Sequence, residues 1–486
     1  STNGSGAFGA SVNILTDASS YMPTAEVSNS FGSYNTWKHS VKFSTGKIND
    51  VFELSGRLST INSDGYVDRA FSDLKSYFLQ GTYNNNGTLI KALVFGGHEK
   101  TYQSWEGLTK QQLEDDRRQN PYTYENEIDN YKQDHYQLHW NQKLNQNWST
   151  NLGLNYTYGR GYYEQYREND AVSTYGGIVE ATGVDFYGTG VTDLIRRRWL
   201  DNDFYVINAT ANYKESDLNL IVGGSYSNYD GDHFGEVIWA RQFASETSIR
   251  DQYYFGNGKK TDFSAFAKAT YTLNSKIDVY GDLQLRNVGY KTSGLTSDLE
   301  NMRIDESYSF FNPKVGVSYQ LASNSSLYAS YARANREPSR SDFESNPDVK
   351  PEQLNDFEMG WRYNKEGVML NINSYYMQYN EQLILTGALD DVGAPVRTNS
   401  GDSYRLGLEI EAAFSLSDAF IIQPVLTLSS NKNKQTYSQV DGILKDFGTT
   451  NISFSPEVVA SNAFIYSPLK NFSLSFLTKY VGDQYM

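Results

Sequence analysis

"IDVYGDLQLR", residues 277–286, puts Ile277, Val279, Leu283 and Leu285 at odd positions and Asp278, Asp282, Gln284 and Arg286 at even ones. Successive side chains of a β-strand point to opposite faces, so this segment has one oily edge and one charged edge. The scheme recurs along the chain. "FELSGRLS" sets Phe52, Leu54 and Leu58 against Glu53, Ser55, Arg57 and Ser59. "YRLGLEIEAAF" sets Leu406, Leu408, Ile410, Ala412 and Phe414 against Arg405, Glu409 and Glu411. "FEMGWRY" repeats it with Glu358 and Arg362 on the polar side. Many segments run to ten residues or more, where ordinary strands have about five or six and a tilted bilayer-crossing strand needs about nine to eleven.

Composition narrows the class. The 486 residues include 39 Tyr, 25 Phe and 7 Trp but no Cys. Mean hydropathy is −0.59, and no stretch approaches the ~18 apolar residues of a membrane-spanning helix. A soluble all-β protein fits these values. So does a transmembrane β-barrel, whose short alternating segments keep the average low and whose aromatic residues gather in girdles at both membrane interfaces. The absence of Cys excludes a disulfide framework and a thiolate metal site. A net charge of −15 argues against nucleic acid as a partner, since phosphate binding needs a basic face.

The connections separate into two kinds. Short links rich in Asn, Asp and Gly, as tight hairpins prefer, fall at 48–50, 84–87, 145–147, 215–217, 274–276, 322–326, 364–367, 416–418 and 467–471. Long links alternate with them, at 101–130, 162–197, 230–260, 291–306, 336–352, 381–400 and 431–453. Short turns at one end and long loops at the other are the pattern of an outer-membrane barrel, and a soluble sandwich has no reason to sort its loops this way. Counting between the turns predicts about nineteen strands from near Thr24 to near Gly482. Bacterial barrels have even strand numbers, and those of about 22 strands are transporters with a plugged lumen. The reading is therefore an all-β, transmembrane antiparallel barrel of 22 strands, about nineteen of them in this chain.

Gly4, Gly6 and Gly9 spell G-x-G-x-x-G, with Glu26 about twenty residues later. A dinucleotide fingerprint needs a strand before it and a helix after it. Here a β-rich segment, Ala10 to Thr16, follows instead.

Four stretches carry a family resemblance. They are "GSGAFGASVNILTD" (4–17), "LYASYARANREPSRSDFESNPDVKPEQLNDFEMGWRY" (327–363), "NSGDSYRLGLEIEAAF" (399–414) and "FSLSFLTKYVGDQYM" (472–486). In order and spacing the chain resembles a TonB-dependent outer-membrane receptor over nearly its whole length. The resemblance implies that residues 1–18 are the C-terminal remnant of a plug domain. It implies that 19–486 form a barrel that stops before its last strands. Gly4, Gly6 and Gly9 then let the plug's last strand turn sharply in the lumen. The implied partners are the TonB-ExbB-ExbD complex, acting through a region before Ser1, the lipid and lipopolysaccharide of a Gram-negative outer membrane, and a small anionic metal chelate. The implied function is energy-dependent uptake of a scarce nutrient, foremost a ferric siderophore. Cobalamin, oligosaccharide or peptide is the alternative cargo, and a passive porin the rival architecture.

No catalytic centre is expected. His135 and His139 are four apart on a predicted strand, so they share a face at a separation of about 13 Å, too far for one metal. Glu358, Arg362, Arg405, Glu409 and Glu411 read as inward charges that meet the plug or lumen water. Ligand contact is expected in the long links. There "LIRRRWLDND" supplies Arg196, Arg197, Arg198 and Trp199, and "GRGYYEQYRE" supplies Tyr162, Tyr163 and Tyr166. Arginine forks bind carboxylate or catecholate-like anions and aromatic faces stack on planar ligands. The competing reading of these arginines is pairing with loop acids such as Asp201 and Asp203, or contact with lipopolysaccharide phosphate. Haem is disfavoured, because the interval from Ser339 to Ser345 holds no histidine.

Overall fold

The computed structural model describes residues 16, 20–389, 395–399, 401–440 and 443–485. Its wall begins with β1 (Thr24–Gly32), β2 (Thr36–Ser44), β3 (Phe52–Ser63), β4 (Ser72–Asn85) and β5 (Thr88–Tyr102). A helix α1 (Lys110–Asp115) precedes β6 (Ile128–Lys143) and β7 (Trp148–Ala171). Next come a two-residue β8 (Gly183–Val184), β9 (Gly190–Glu215), β10 (Leu218–Ala240), β11 (Gln252–Asn274) and β12 (Ile277–Leu295). They are followed by β13 (Asn301–Ala322), β14 (Ser325–Arg336), helix α2 (Arg340–Ser345), β15 (Glu352–Lys365) and β16 (Val368–Asn380). A loop hairpin, β17 (Leu383–Leu389) and β18 (Pro395–Asn399), leads to β19 (Ser403–Ser417) and β20 (Phe420–Asn433). A second hairpin, β21 (Tyr437–Val440) and β22 (Ile443–Asp446), and the two-residue β23 (Thr450–Asn451) precede β24 (Val458–Leu469) and β25 (Phe472–Val481).

Among the described residues the main sheet holds twenty-one strands. Setting aside the two-residue pieces β8 and β23 leaves the nineteen expected from the turns. Each long strand pairs antiparallel with its sequence neighbour, as in Ser55↔Gln80 between β3 and β4 and Leu285↔Phe311 between β12 and β13. Among the described residues no helix is long and apolar enough to cross a membrane.

The faces are sorted opposite to a soluble protein. On β12, Leu283 and Leu285 are 51% and 58% exposed, while Asp282, Gln284 and Arg286 are 2%, 7% and 4% exposed. Leu54 and Leu406 are exposed too, and Leu408 is half-exposed. Burying one such side chain is worth about 1.5–3 kcal/mol, so a wall studded with them is tolerable only against lipid. Aromatic rings mark the edges of that band. At the short-turn end Trp148 meets Tyr213 at 5.0 Å and Phe52 meets Tyr83 at 5.0 Å. Higher up, Tyr156 stacks on Tyr136 at 5.8 Å and on Tyr205 at 4.7 Å. Tyr205 and Tyr213 are eight residues apart on β9, roughly 26 Å along the strand, which spans a hydrocarbon core when tilted.

One expectation is corrected. Strands continue through most of 162–197, 230–260 and 291–306, leaving connections of only 172–189, 241–251 and 296–300. β9 has 26 residues and β7 has 24, far more than a bilayer requires. Above the membrane neither face meets lipid, so the oily-polar alternation disappears while backbone pairing with the neighbour still satisfies every ladder group.

Candidate functional site

Exposed apolar residues fix the outward face of each strand, and alternation then assigns the rest. On β15 the exposed Phe357 and Met359 place Glu358 and Arg362 on the opposite, inner face. On β19 the exposed Leu406 places Arg405, Glu409 and Glu411 there as well. The Arg362 guanidinium lies 4.5 Å from the Tyr328 ring, whose hydroxyl donates to Asn373 Oδ1 at 2.8 Å. Asn373 Nδ2 donates to Glu409 at 3.4 Å and Asn371 Nδ2 to Glu411 at 3.2 Å. Arg405 reaches Ser455 Oγ at 3.4 Å. Pairing across β14, β15, β16 and β19 thus knits these charges into one polar inner surface. Gly4, Gly6 and Gly9 lie outside the described residues. Thr16, which is described, accepts a hydrogen bond from Lys91 on the inner wall at 3.1 Å.

The two aromatic and arginine stretches meet directly. Tyr162 pairs with Trp199, Tyr163 with Arg198, Gln165 with Arg196 and Tyr166 with Ile195. They stand on strands β7 and β9 rather than on loops, so alternation splits them. Tyr162, Tyr166, Arg197 and Trp199 share the outward face with Tyr205 and Ile207. There Arg197 pairs with Glu164 at 2.8 Å and lies 4.2 Å from the Tyr162 ring. Arg160 pairs with Asp201 at 3.3 Å, and Trp199 Nε1 donates to Glu236 at 3.1 Å. Tyr163, Arg196 and Arg198 face inward. Arg196 donates to Gln165 Oε1 at 2.9 Å, and Arg198 donates to the hydroxyls of Tyr163 at 3.1 Å and Tyr253 at 3.3 Å. Both of these inward arginines are more than nine-tenths buried.

Two connections fold over the inner surface. Tyr175, Ile178 and Val179 after β7 pack with Leu194, Val237, Tyr253 and Tyr254. After β14, Ser339 caps α2 through the Asp342 amide, with the Asp342 carboxylate answering at the Ser339 amide. This short helix lays Phe343 flat on Tyr290 at 5.5 Å. Glu337 anchors the segment: Arg286 donates to its two oxygens at 2.7 and 2.8 Å and to Asp262 at 2.6 and 2.9 Å, and Lys260 also pairs with Glu337. The carboxyl of Glu337 would be raised by its burial, but Arg286 and then Lys260 outweigh that and hold it below the usual range. This cluster was not singled out from sequence. Arg286 was visible on the polar edge of its strand, but its partners come from β11 and from the segment after β14. The Ser339–Ser345 interval is therefore a lumen-side helix.

His135 hydrogen-bonds Thr157 and His139 hydrogen-bonds Gln137. Among the described residues no group of three or more His, Asp or Glu is placed to hold a metal ion.

The TonB-dependent receptor-like β-barrel family model matches residues 72–486. No curated protein matches the chain. Several solved structures share its fold. The ferric-catecholate import receptor Fiu of E. coli K12, closed form, is 13% identical with a TM-score of 0.68, over 98% of this chain and 73% of that one. The siderophore receptor PiuA of Acinetobacter baumannii is 12% identical with a TM-score of 0.70, over 98% and 74%. The ferric yersiniabactin uptake receptor FyuA of Yersinia pestis is 13% identical with a TM-score of 0.66, over 99% and 71%. A nineteen-strand wall that turns leucine to lipid and arginine to its lumen, matched over most of its length by that family, belongs to the TonB-dependent receptors of the Gram-negative outer membrane, which are transport proteins and not enzymes.

Proposed function

We propose that this receptor imports a small anionic metal chelate, foremost a ferric siderophore, and that Tyr163, Arg196 and Arg198 contact it on its way into the lumen. The observation that carries the reading is the inward placement of two buried arginines among tyrosines at the long-loop end. Arg196 is held by a neutral amide, so its charge is oriented without a carboxylate in that hydrogen bond. An anionic chelate with aromatic ligands offers both charge for the guanidinium forks and faces for the tyrosines. Residues 1–18 form the tail of a plug, in keeping with Thr16 on the inner wall. The TonB-ExbB-ExbD complex pulls on the plug, and Glu358, Arg362, Arg405, Glu409 and Glu411 line the path it opens. The four outward residues of the cluster brace the wall instead of touching cargo.

The test is uptake by cells carrying the full-length gene. Radiolabelled iron is presented as catecholate, hydroxamate and citrate chelates, beside cobalamin, an oligosaccharide, a peptide and copper. Expected is TonB-dependent import of at least one ferric chelate, reduced tenfold or more by Arg196→Gln with Arg198→Gln and little changed by Arg197→Gln. Import of cobalamin, oligosaccharide or peptide with no ferric chelate overturns the cargo assignment.

A further inference from the structure

The connection from 103 to 127 brings one more ring to the inner surface. Trp105 packs edge-on against Tyr163, with ring centroids 5.4 Å apart and an interplanar angle of 77°. Tyr163 faces inward from β7, and its hydroxyl accepts from Arg198 Nη1 on β9 at 3.1 Å. Side chains from β7, β9 and the connection thus form one corner. Two ring faces stand at nearly a right angle, and a guanidinium lies at the hydroxyl end of one of them.

Trp105 is 44% exposed, yet its place is fixed from two residues back, where Gln103 is 1% exposed. Every polar group of Gln103 is engaged. Its backbone N–H donates to the Glu127 carbonyl at 2.8 Å, and its carbonyl accepts from Asn120 Nδ2 at 3.0 Å. Its Nε2 donates to the carbonyls of Ile128 at 3.0 Å and Glu164 at 3.1 Å, and its Oε1 accepts from Gln165 Nε2 at 3.3 Å. Gln165 is the residue that accepts from Arg196. A buried amide satisfied on all sides holds its segment in one place, because any shift strands a desolvated group. Trp105 therefore stands on the same hydrogen-bonded frame as Arg196. An indole kept half-open beside an inward tyrosine forgoes burial that a ring of its size could gain, and a bound planar group restores it.

The corner has two unlike parts, a pair of π faces and a cation. A flat ring with ionised oxygens on one edge matches both. It stacks on one wall and turns its edge to the other, while its oxygens lie toward Arg198. A hydroxamate or a citrate brings charge without a ring and leaves both walls wet. We propose that Trp105 is a specificity-determining residue, and that the corner it forms with Tyr163 and Arg198 selects iron chelates built from catecholate or phenolate rings over hydroxamate and citrate chelates. The inference rests on the reading that the receptor carries a ferric chelate, and it narrows that cargo to one class of donor.

The experiment measures initial uptake by cells carrying the full-length gene, with radiolabelled iron supplied as the tris-catecholate, the tris-acetohydroxamate or the citrate. The unaltered receptor should half-saturate with the catecholate at a concentration at least tenfold below that for the other two. Trp105→Leu keeps an apolar side chain but removes the π face. It should raise half-saturation for the catecholate about tenfold, leave the maximal rate within twofold, and bring the preference among chelates to within threefold. Trp105→Phe restores a ring and should recover most of the loss. A fall in maximal rate shared by all chelates in Trp105→Leu, or an equal loss in Trp105→Phe, means that the side chain only supports the connection and overturns the proposal. Equal or better use of the hydroxamate or the citrate by the unaltered receptor overturns it too, and leaves the ferric-chelate reading standing. Uptake of no ferric chelate overturns both.

Discussion

Arg286→Met tests whether the segment after β14 is pinned to the lumen wall by charge. Arg286 stands between Asp262 and Glu337 with all three side chains 5% exposed, and its guanidinium makes four close contacts with them. Removing one partner of a buried ion pair costs about 3–5 kcal/mol, mostly because the remaining charge is left without compensation. Lys260 still reaches Glu337, so the lower end applies, about 3 kcal/mol. At about 1.4 kcal/mol per factor of ten, opening of residues 337–351 should become roughly 100-fold more frequent. Hydrogen–deuterium exchange in detergent micelles reads this directly, with peptides covering α2 exchanging about 100-fold faster and those from β3 to β5 unchanged. Adding Asp262→Asn to Arg286→Met should recover part of the protection, since the carboxylate stranded beside Glu337 is then neutral. Exchange at 337–351 within threefold of the unaltered protein would refute the argument. So would a uniform rise across all strands, which would mean that Arg286 supports the barrel and not the loop.

Acid acts with opposite signs on two connections. Glu337 is held below its usual 4.5, so docking of 337–351 is fully supported above that pH and is lost as pH falls through the depressed value. Burial pushes Glu127 up to about 7, so docking of 103–127 is strongest below 4.5 and weakens as pH rises to about 7. Exchange rates corrected for intrinsic chemistry at pH 4, 5.5 and 8 should show the two segments moving in opposite directions. Gly360→Ala places a Cβ 2.5 Å from the Tyr328 ring and should destabilise the barrel by about 1–3 kcal/mol in urea titration, releasing Tyr328 from Asn373. Leu283→Arg, on the lipid face between the two girdles, should cost about 2–4 kcal/mol in lipid vesicles, with Thr60→Arg near the long-loop end of β3 costing about 1 or less. Equal costs at the two positions would mean that the wall is not oriented across a bilayer as described.

Much of the architecture was legible in the chain itself. Residues 277–286 state two faces, and the short Asn- and Gly-rich links located the tight turns from 48–50 onward but not the one at 33–35, because hairpin geometry is local and constrains the residues that make it. The nineteen strands follow from those turns. Sequence also identified Glu358, Arg362, Arg405, Glu409 and Glu411 as sharing one side, because a period of two survives any fold that keeps the strand. Alternation alone did not say which side faces in; the inward reading of these charges came from the barrel reading. An alternating strand is equally consistent with leucine inside and charge outside, and only the exposure of Leu283 and Leu285 beside the burial of Asp282 and Arg286 chose between them. Nor could it see strands above the bilayer, where the hydrophobic period is absent and pairing alone sustains them. The arginine cluster was found as a run of neighbours. The pleat divided it, sending Arg197 and Trp199 to the outer wall and Arg196 and Arg198 to the lumen. Register did the opposite for residues far apart in the chain, joining Arg286 to Asp262 and Arg198 to Tyr163. Local chemistry is written along the chain, but neighbourhood across strands is created only when the sheet forms.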